Sequence, residues 1–213
     1  MTMLTLSRPL LTLAAATLLG AAAAHAQPAA PPAASPAAKA RADNGRPPFT
    51  PADVRFMSGM IGHHAQAVLM AGWAPTHGAS RAVSVLAERI VVAQRDEIAF
   101  MQRWLGDRAL DVPDPAHVAG MPGMEGMHHE MMPGMATAEE LQRLDHARGA
   151  EFDRLFLTLM IKHHQGALTM VDQLLAAPGA ANDDAVYKFV SDVSADQSTE
   201  IDRMTSMLES MKP

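Results

Sequence analysis

Apolar residues recur every three or four positions from about residue 50 onward, a spacing typical of α-helices. The first predicted helix opens at Thr50, a good N-cap, with Pro51 at the first helical position, and it continues to about Met70. A second helix is predicted over about 80–105. Its expected buried stripe consists of seven residues: Val83, Leu86, Ile90, Ala93, Glu97, Met101 and Trp104.

Three further helical runs are predicted in the second half of the chain. Residues 137–140 read TAEE, a capping-box sequence that starts a helix, and Gly149 should interrupt it because glycine is unfavourable inside helices. A long helix is predicted over about 150–175, and a last one from an acidic start at 182–184 to about Met211. No convincing strand pattern is present, so the sequence predicts an all-α fold.

The helical motif is duplicated with an offset of 100 residues. Residues 53–70 read DVRFMSGMIGHHAQAVLM, and residues 153–170 read DRLFLTLMIKHHQGALTM. Identical residues recur at eight pairs of positions: Asp53/Asp153, Phe56/Phe156, Met60/Met160, Ile61/Ile161, His63/His163, His64/His164, Ala67/Ala167 and Met70/Met170. The partner helices also correspond, with a shared set of four residues in each: Gln94, Glu97, Ile98 and Met101, and then Gln197, Glu200, Ile201 and Met204.

Two helical pairs with buried stripes predict a four-helix bundle domain over residues 50–213. Its parts are a first hairpin at 50–106, a long Met/His-rich crossover at 107–136 and a second half at 137–213. The spacing of the repeats supports this architecture and leaves the order of the helices in space open.

The N-terminus has the marks of a secretory signal peptide. Arg8 is the only charge before an apolar run at 10–24, which meets the cleavage-site pattern Ala-His-Ala at 24–26. We therefore expect residues 1–26 to be removed, in preference to an uncleaved anchor, and 27–49 to form an Ala/Pro-rich linker. The mature protein is predicted to be periplasmic or secreted, with no membrane span after cleavage.

Composition narrows the chemistry that the chain can carry. It contains 17 methionines, 10 histidines and no cysteine, and its formal net charge is −6. The absence of cysteine excludes disulfides, thiolate metal sites and a cysteine nucleophile, so metal ligands must be imidazole, thioether or oxygen. The negative charge argues against a nucleic-acid-binding protein, which needs a basic face.

The duplicated motif places histidine and methionine on one broad helix face that also carries large apolar residues. Buried imidazoles need a hydrogen bond or a metal, and a Met/His set suits copper, Cu(I) in preference to Cu(II). Packing stays the alternative reading for the methionines, since methionine often fills core gaps. The candidate ligands are Met60, His63, His64, Met70, Met160, His163, His164 and Met170. Glu97 and Glu200 are outer acceptors or solvated carboxylates, and Asp53 and Asp153 are expected to serve helix N-termini.

The crossover is a second candidate site. Residues 120–135 read GMPGMEGMHHEMMPGM, where Gly and Pro prevent a regular helix and leave the methionines little core to pack in. A flexible thioether site for soft ions is favoured over a low-complexity linker. Its candidate ligands are Met121, Met124, Met127, His128, His129, Met131, Met132 and Met135. His117 and His146 are nearby extras, and His77 is expected in a surface loop.

The pattern D-x2-F-x3-MI-x-HH-x2-A-x2-M, present twice with Q-x2-EI-x2-M on the partner helix, resembles the domain-of-unknown-function 305 family over about residues 50–210. The resemblance implies a ferritin-like four-helix bundle in an exported protein associated with copper binding and copper tolerance. It places the family's motif on the eight helix residues given above as candidate ligands. Leu157 stands where the first repeat has Met57, so the two halves need not be equivalent.

The function predicted from these features is copper binding for sequestration, tolerance or delivery, without enzymatic activity. Delivery would imply a second exported copper-handling protein as partner. One alternative is a ferritin-like oxidase of iron or copper, but the bundle lacks the Glu-x-x-His motifs of di-iron sites, the only instance being Glu125 to His128 in the crossover. The other alternative is a helical interaction module without metal.

Overall fold

The computed structural model describes residues 49–116 and 132–212, which contain five α-helices and no strand. The all-α prediction is confirmed for this part of the chain. The predicted signal peptide, the predicted linker up to residue 48 and residues 117–131 of the crossover lie outside the described residues. The helices are α1 (Pro51–Gly72), α2 (Arg81–Gly106), α3 (Ala138–His146), α4 (Ala150–Leu175) and α5 (Asp184–Ser210).

Side-chain caps define where the helices begin. Thr50 and Asp53 form a reciprocal capping box at α1, and Thr137 and Glu140 form another at α3. Gly149 separates α3 from α4 with φ of 57°, a left-handed conformation that glycine adopts without steric cost. The helix starts and the interruption at 149 therefore lie within a residue or two of the positions predicted from the sequence.

The helices pair as antiparallel hairpins, α1 with α2 and α4 with α5, and α1 also packs against α4. Their apolar faces form two separate cores. The first core joins the N-terminal half of α1 to the C-terminal half of α4 and contains Phe56, Met60 and Met170. The second joins the opposite halves of the same helices and contains Met70, Phe156 and Met160. The finer expectation of a ferritin-like four-helix bundle stays a prediction.

A layer of buried polar side chains lies between the two cores, at the middle of the four long helices. We call it the polar layer. Each of its members is at most 2% exposed, and each helix contributes at least one: His63 and His64 from α1, Gln94 from α2, His163 and His164 from α4, and Gln197 from α5.

The buried stripe of α2 differs from the predicted one at two positions. Ala93 is exposed and Glu97 lies at the rim, whereas Gln94 and Ile98 point inward. From Ile90, steps of four residues reach 94 and 98, so the stripe continues along the helix ridge. The carboxylate of Glu97 keeps partial contact with water, because desolvating a charge is costly.

Two aspartates connect the hairpins to each other. Asp53, besides capping α1, accepts a hydrogen bond from the backbone N–H of Ala181 at 2.7 Å, in the connection between α4 and α5. Asp153 accepts from the backbone N–H of Ser80 at 3.1 Å, in the connection between α1 and α2. Each hairpin thus holds the loop of the other through a buried carboxylate, a role beyond the helix-start function expected from the sequence.

None of the helices in the described residues is both long and apolar enough to cross a membrane.

Replacing Asp53 with alanine should lower the free energy of unfolding by about 2–4 kcal/mol, because a helix cap and a buried charge-assisted hydrogen bond are lost together. Urea unfolding followed by circular dichroism measures the effect. Asp202→Ala, at an exposed aspartate on α5, is the matched control and should change stability by less than about 0.5 kcal/mol. Equal effects in the two variants would contradict a connecting role for Asp53.

Candidate metal centre

The duplicated histidine pairs meet in the polar layer. All four imidazoles are fully buried, and the rings of His63 and His163 face each other with centroids 3.8 Å apart. Within each pair the two rings are further apart, at 6.5 Å in α1 and 6.2 Å in α4. The sequence predicted that these side chains point inward; the structure adds that the two pairs adjoin each other across the α1–α4 contact.

The Nε2 atoms of the central pair are bound to backbone carbonyls. His63 Nε2 donates to the carbonyl of Pro133 at 2.9 Å, and His163 Nε2 donates to the carbonyl of His63 at 2.8 Å. A carbonyl oxygen can only accept, so each Nε2 must carry the ring hydrogen. In a neutral imidazole this leaves Nδ1 with a free lone pair.

The outer histidines face carboxylates. His164 Nε2 donates to Glu200 Oε2 at 2.7 Å. His64 Nε2 approaches Glu97 Oε2 to 2.8 Å, although without the alignment of a hydrogen bond. Both glutamate side chains are less than one-fifth exposed and lie at the rim of the polar layer. Glu97 and Glu200, left undecided by the sequence, are therefore histidine partners.

Burial keeps the central histidines uncharged. It lowers the pKa of His63 to about 3, an effect that the nearby His64 and His164 reinforce and the bond to Pro133 partly offsets. The pKa of His163 is lowered well below its ordinary value, first by burial and then by the neighbouring histidines. Neutral imidazole is the form that binds metals, so these two side chains are ready as ligands at neutral pH without losing a proton.

Within residues 49–116 and 132–212, all four Nδ1 atoms are buried and lack a hydrogen-bond partner, as do His64 Nε2, Gln94 Oε1 and Gln197 Oε1 of the same layer. Leaving a buried polar atom unpaired costs roughly 1–3 kcal/mol, so the unpaired atoms of this layer are together unfavourable unless a further partner binds. A histidine that binds a metal through one nitrogen usually donates its other N–H to a carbonyl or a carboxylate, as His63, His163 and His164 do here. The donor set fits a metal that takes neutral imidazole.

The candidate ligand atoms do not form a complete coordination site. Within residues 49–116 and 132–212, no three side chains among His, Cys, Asp and Glu are placed to hold one ion together. A complete coordination site would therefore need ligands from thioethers or from side-chain movement.

The helix methionines are divided between the two cores. Met60 and Met70 are fully buried on opposite sides of the polar layer. Met160 is also fully buried, and Met170, on the other side of the layer, is 8% exposed. Their positions agree with packing as well as with ligation, so their role as ligands stays a prediction.

The end of the crossover lies against the polar layer. We call residues 132–136 the docked segment. Gln66 holds its last residue with two hydrogen bonds, donating to Ala136 O at 3.0 Å and accepting from Ala136 N at 2.7 Å. A Cβ at Gly166 would collide with the Pro133 carbonyl, so the glycine allows the segment to reach α4.

The docked segment contains two of the predicted crossover ligands. Met135 is buried and Met132 is partly exposed. The other six lie outside the described residues: Met121, Met124, Met127, His128, His129 and Met131. Sequence reasoning missed Gln66, Pro133 and Gly166. The available signal was that the two repeats differ at 66 and 166, where a strict duplication would keep one residue type.

His77 is not the surface residue expected from the sequence. It is only 5% exposed, its Nε2 donates to the carbonyl of Asp145 at 2.9 Å, and its Nδ1 lies 2.9 Å from the hydroxyl of Thr76. Both ring nitrogens are satisfied, which contrasts with the polar layer. His146 binds a carbonyl of its own helix on the exposed side of α3, and His117 lies outside the described residues.

The profile of the family described as domain of unknown function (DUF305) matches residues 53–208. The chain belongs to the DUF305 family. In structure it resembles a DUF305 fragment from Deinococcus radiodurans at 32% sequence identity and a TM-score of 0.64, with 76% of this chain and 99% of that one covered. A DUF305 protein from Streptomyces coelicolor, presumed to be secreted, is 27% identical with a TM-score of 0.63, over 75% of this chain and 93% of that one.

The DUF305 chain also resembles CopM, a protein solved with Cu(II) and with Cu(I) bound. The Cu(II)-bound form is 28% identical, with a TM-score of 0.58 and coverage of 75% of this chain and 97% of that one. The Cu(I)-bound form is 26% identical, with the same TM-score and coverage of 78% and 100%. No curated protein sequence matches the chain. Membership of the family expected from the repeated motif is thus confirmed.

The metal-free protein should lose stability as the pH falls below about 6.5. The unfolded chain then binds protons at His63 that the folded chain excludes down to a pH of about 3, so unfolding becomes easier by about 1.4 kcal/mol per pH unit. His63→Gln, which retains an N–H donor for the Pro133 carbonyl, should flatten the pH dependence by that slope. Urea unfolding between about pH 7 and pH 4.5 measures it. An unchanged slope would show that His63 is protonated in the folded state.

Proposed function

We propose that this DUF305 protein binds copper in an exported compartment, for sequestration, tolerance or delivery. The observation that carries the proposal is the polar layer, where four buried Nδ1 atoms lack partners while the Nε2 atoms face carbonyls or carboxylates. A metal ion would supply the missing partners. Export rests on the signal-peptide pattern of residues 1–26.

Copper is the metal that the available ligands favour. Cysteine is absent, and the carboxylates nearest the layer are engaged with histidine nitrogens, so imidazole and thioether are the remaining donors. Thioethers suit Cu(I), and imidazole suits both oxidation states, whereas zinc rarely uses methionine. The likeness to CopM, solved with either oxidation state of copper, supports the same assignment.

Glu97 and Glu200 would orient the outer histidines when metal is bound. Each carboxylate accepts or approaches the Nε2 of its histidine, which presents Nδ1 as the ligand atom. Because both carboxylates lie at the rim, they would also help to offset the positive charge that enters with the metal. If the protein binds copper without catalysing a reaction, Glu97 and Glu200 need no further role.

Removing the central histidines should weaken imidazole ligation of copper, since only the outer pair, His64 and His164, remains in the polar layer. His63→Gln combined with His163→Gln takes away two Nδ1 donors, so we expect at least about tenfold weaker binding at the histidine site. A titration with Cu(I) against a competing chelator gives the affinity, and copper K-edge X-ray absorption separates imidazole from thioether ligands, including those of the crossover.

The matched control also removes two histidines, one buried and one exposed. His77→Gln with His146→Gln lies outside the polar layer and should leave both measurements unchanged. Circular dichroism establishes that each variant remains folded. An imidazole contribution that is as large in the central variant as in the unaltered protein, or that the control reduces equally, would overturn the proposed site.

A second candidate function, oxidation of Cu(I) or Fe(II), is favoured by one observation. The pairs His64–Glu97 and His164–Glu200 place carboxylates beside imidazoles, a combination that local sequence motifs did not reveal because each pair joins two helices. Both carboxylates already face histidine nitrogens, which leaves few oxygen ligands for a di-iron site.

Oxygen uptake distinguishes binding from oxidation. On the binding proposal, adding excess Cu(I) or Fe(II) should cause no more oxygen consumption than in a variant with Glu97→Gln and Glu200→Gln, because the residues hold metal without turning it over. An oxygen electrode makes the measurement. Consumption over many equivalents of metal that disappears in the glutamine variant would establish an enzyme instead.

A further inference from the structure

The two repeats differ along one helix face, and the differences have a common location. In α1 this face has Gly59, Gly62 and Gln66, at steps of three and four residues. The corresponding positions of α4 are Leu159, Lys162 and Gly166. Duplication would make the two faces alike, but α1 has glycine at two of the three positions. The absence of these two side chains leaves space beside α1.

The docked segment and α4 fill that room with two methionine side chains. A Cβ at Gly59 would lie 3.3 Å from Met132 Sδ and 3.6 Å from Met170 Cε, and a Cβ at Gly62 would lie 3.7 Å from Met132 Cε. Both thioethers therefore reach the same point on α1, although they come from different parts of the chain. Leu159 occupies the corresponding position in the second repeat and is itself buried.

This point opens into a groove with a volume of about 660 Å³. Met132 and Met170 both line it, together with apolar side chains such as Phe56 and Leu174. Met132 is partly exposed, so its sulfur is not fully committed to core packing. The cationic residue on this groove is Arg55, whose side chain is exposed and can turn toward solvent.

Backbone contacts hold Met132 in place. The carbonyl of the next residue, Pro133, accepts from His63, and Gln66 holds Ala136 at the other end of the docked segment. Met135 N donates to Met132 O at 3.2 Å and closes the turn between them. These hydrogen bonds fix the backbone at and after Met132, so this part of the chain loses less conformational freedom when an ion binds, which favours binding.

We propose that Met132 and Met170 form a thioether site for a soft monovalent cation, Cu(I) or its analogue Ag(I), in this groove. The inference rests on the proposed copper binding and adds a site outside the polar layer that contains no imidazole. A duplicated sequence would be expected to form two such sites. The described part of the chain forms one, because it contains one docked segment and one helix face with Gly59 and Gly62. The groove gives the ion access from solvent, and the hydrogen bond that His63 Nε2 donates to the Pro133 carbonyl connects the site to the central histidines.

Silver titration of protein labelled with ¹³C at the methionine methyl groups tests the site. Ag(I) avoids redox chemistry, and the variants Met132→Leu and Met170→Leu assign the two signals by their disappearance. We expect both signals to shift over the same silver equivalents, because one ion binds both sulfurs. In either leucine variant the remaining signal should lose its response, whereas Met204→Leu, at a buried core methionine of α5, should leave both responses intact.

Gly59→Leu provides a further variant, since it installs the residue that the second repeat has at this position. It should fill the space over Gly59 and abolish the coupled shift while imidazole ligation of copper in the polar layer persists. If the two signals do not shift, or if each still shifts without the other, the thioether site is wrong. If the unaltered protein shows the coupled shift but no imidazole ligation of copper, the proposed histidine centre is wrong and this site stands.

Discussion

The burial of four imidazoles between two apolar cores is the constraint on which the rest of this structure depends. Water cannot satisfy these rings, so their nitrogens need partners from the protein or from a bound ion. The carbonyls of Pro133 and His63 satisfy the central Nε2 atoms, and Glu97 and Glu200 face the outer ones. The same burial keeps the central pair neutral, and the unpartnered Nδ1 atoms are the reason we propose that this layer binds metal.

A single docked segment turns a duplicated sequence into an asymmetric structure. His163 donates to a carbonyl of α1, but His63 donates to the docked segment rather than to α4. A symmetric arrangement would need a second such segment, whereas in the described part of the chain the positions that correspond to Gly59 and Gly62 carry the side chains of Leu159 and Lys162. The two halves of the DUF305 domain therefore share a histidine layer and differ at its surface, where a thioether pair adjoins one side.

Local features of the sequence predicted the helices to within a few residues, because Thr50, Thr137 and Gly149 act on the chain beside them. The histidine pairs were predicted as buried for a similar reason: they share a helix face with large apolar residues. Periodicity wrongly predicted that Ala93 and Glu97 are buried, because the buried face of α2 is shifted by one residue to Gln94 and Ile98. The sequence also wrongly predicted that His77 lies at the surface, since its hydrogen-bond partner Asp145 comes from a distant part of the chain.

The sequence by itself determined the helical class, the duplication and the absence of thiolate ligands, since periodicity, repetition and composition are properties of the chain alone. Only the tertiary structure decided that His63 meets His163, that Glu97 and Glu200 serve the outer histidines, and that Asp53 and Asp153 join the hairpins. These contacts join residues 33 to 128 positions apart in sequence. Local sequence patterns do not predict these contacts, because the packing between helices determines which helix faces meet.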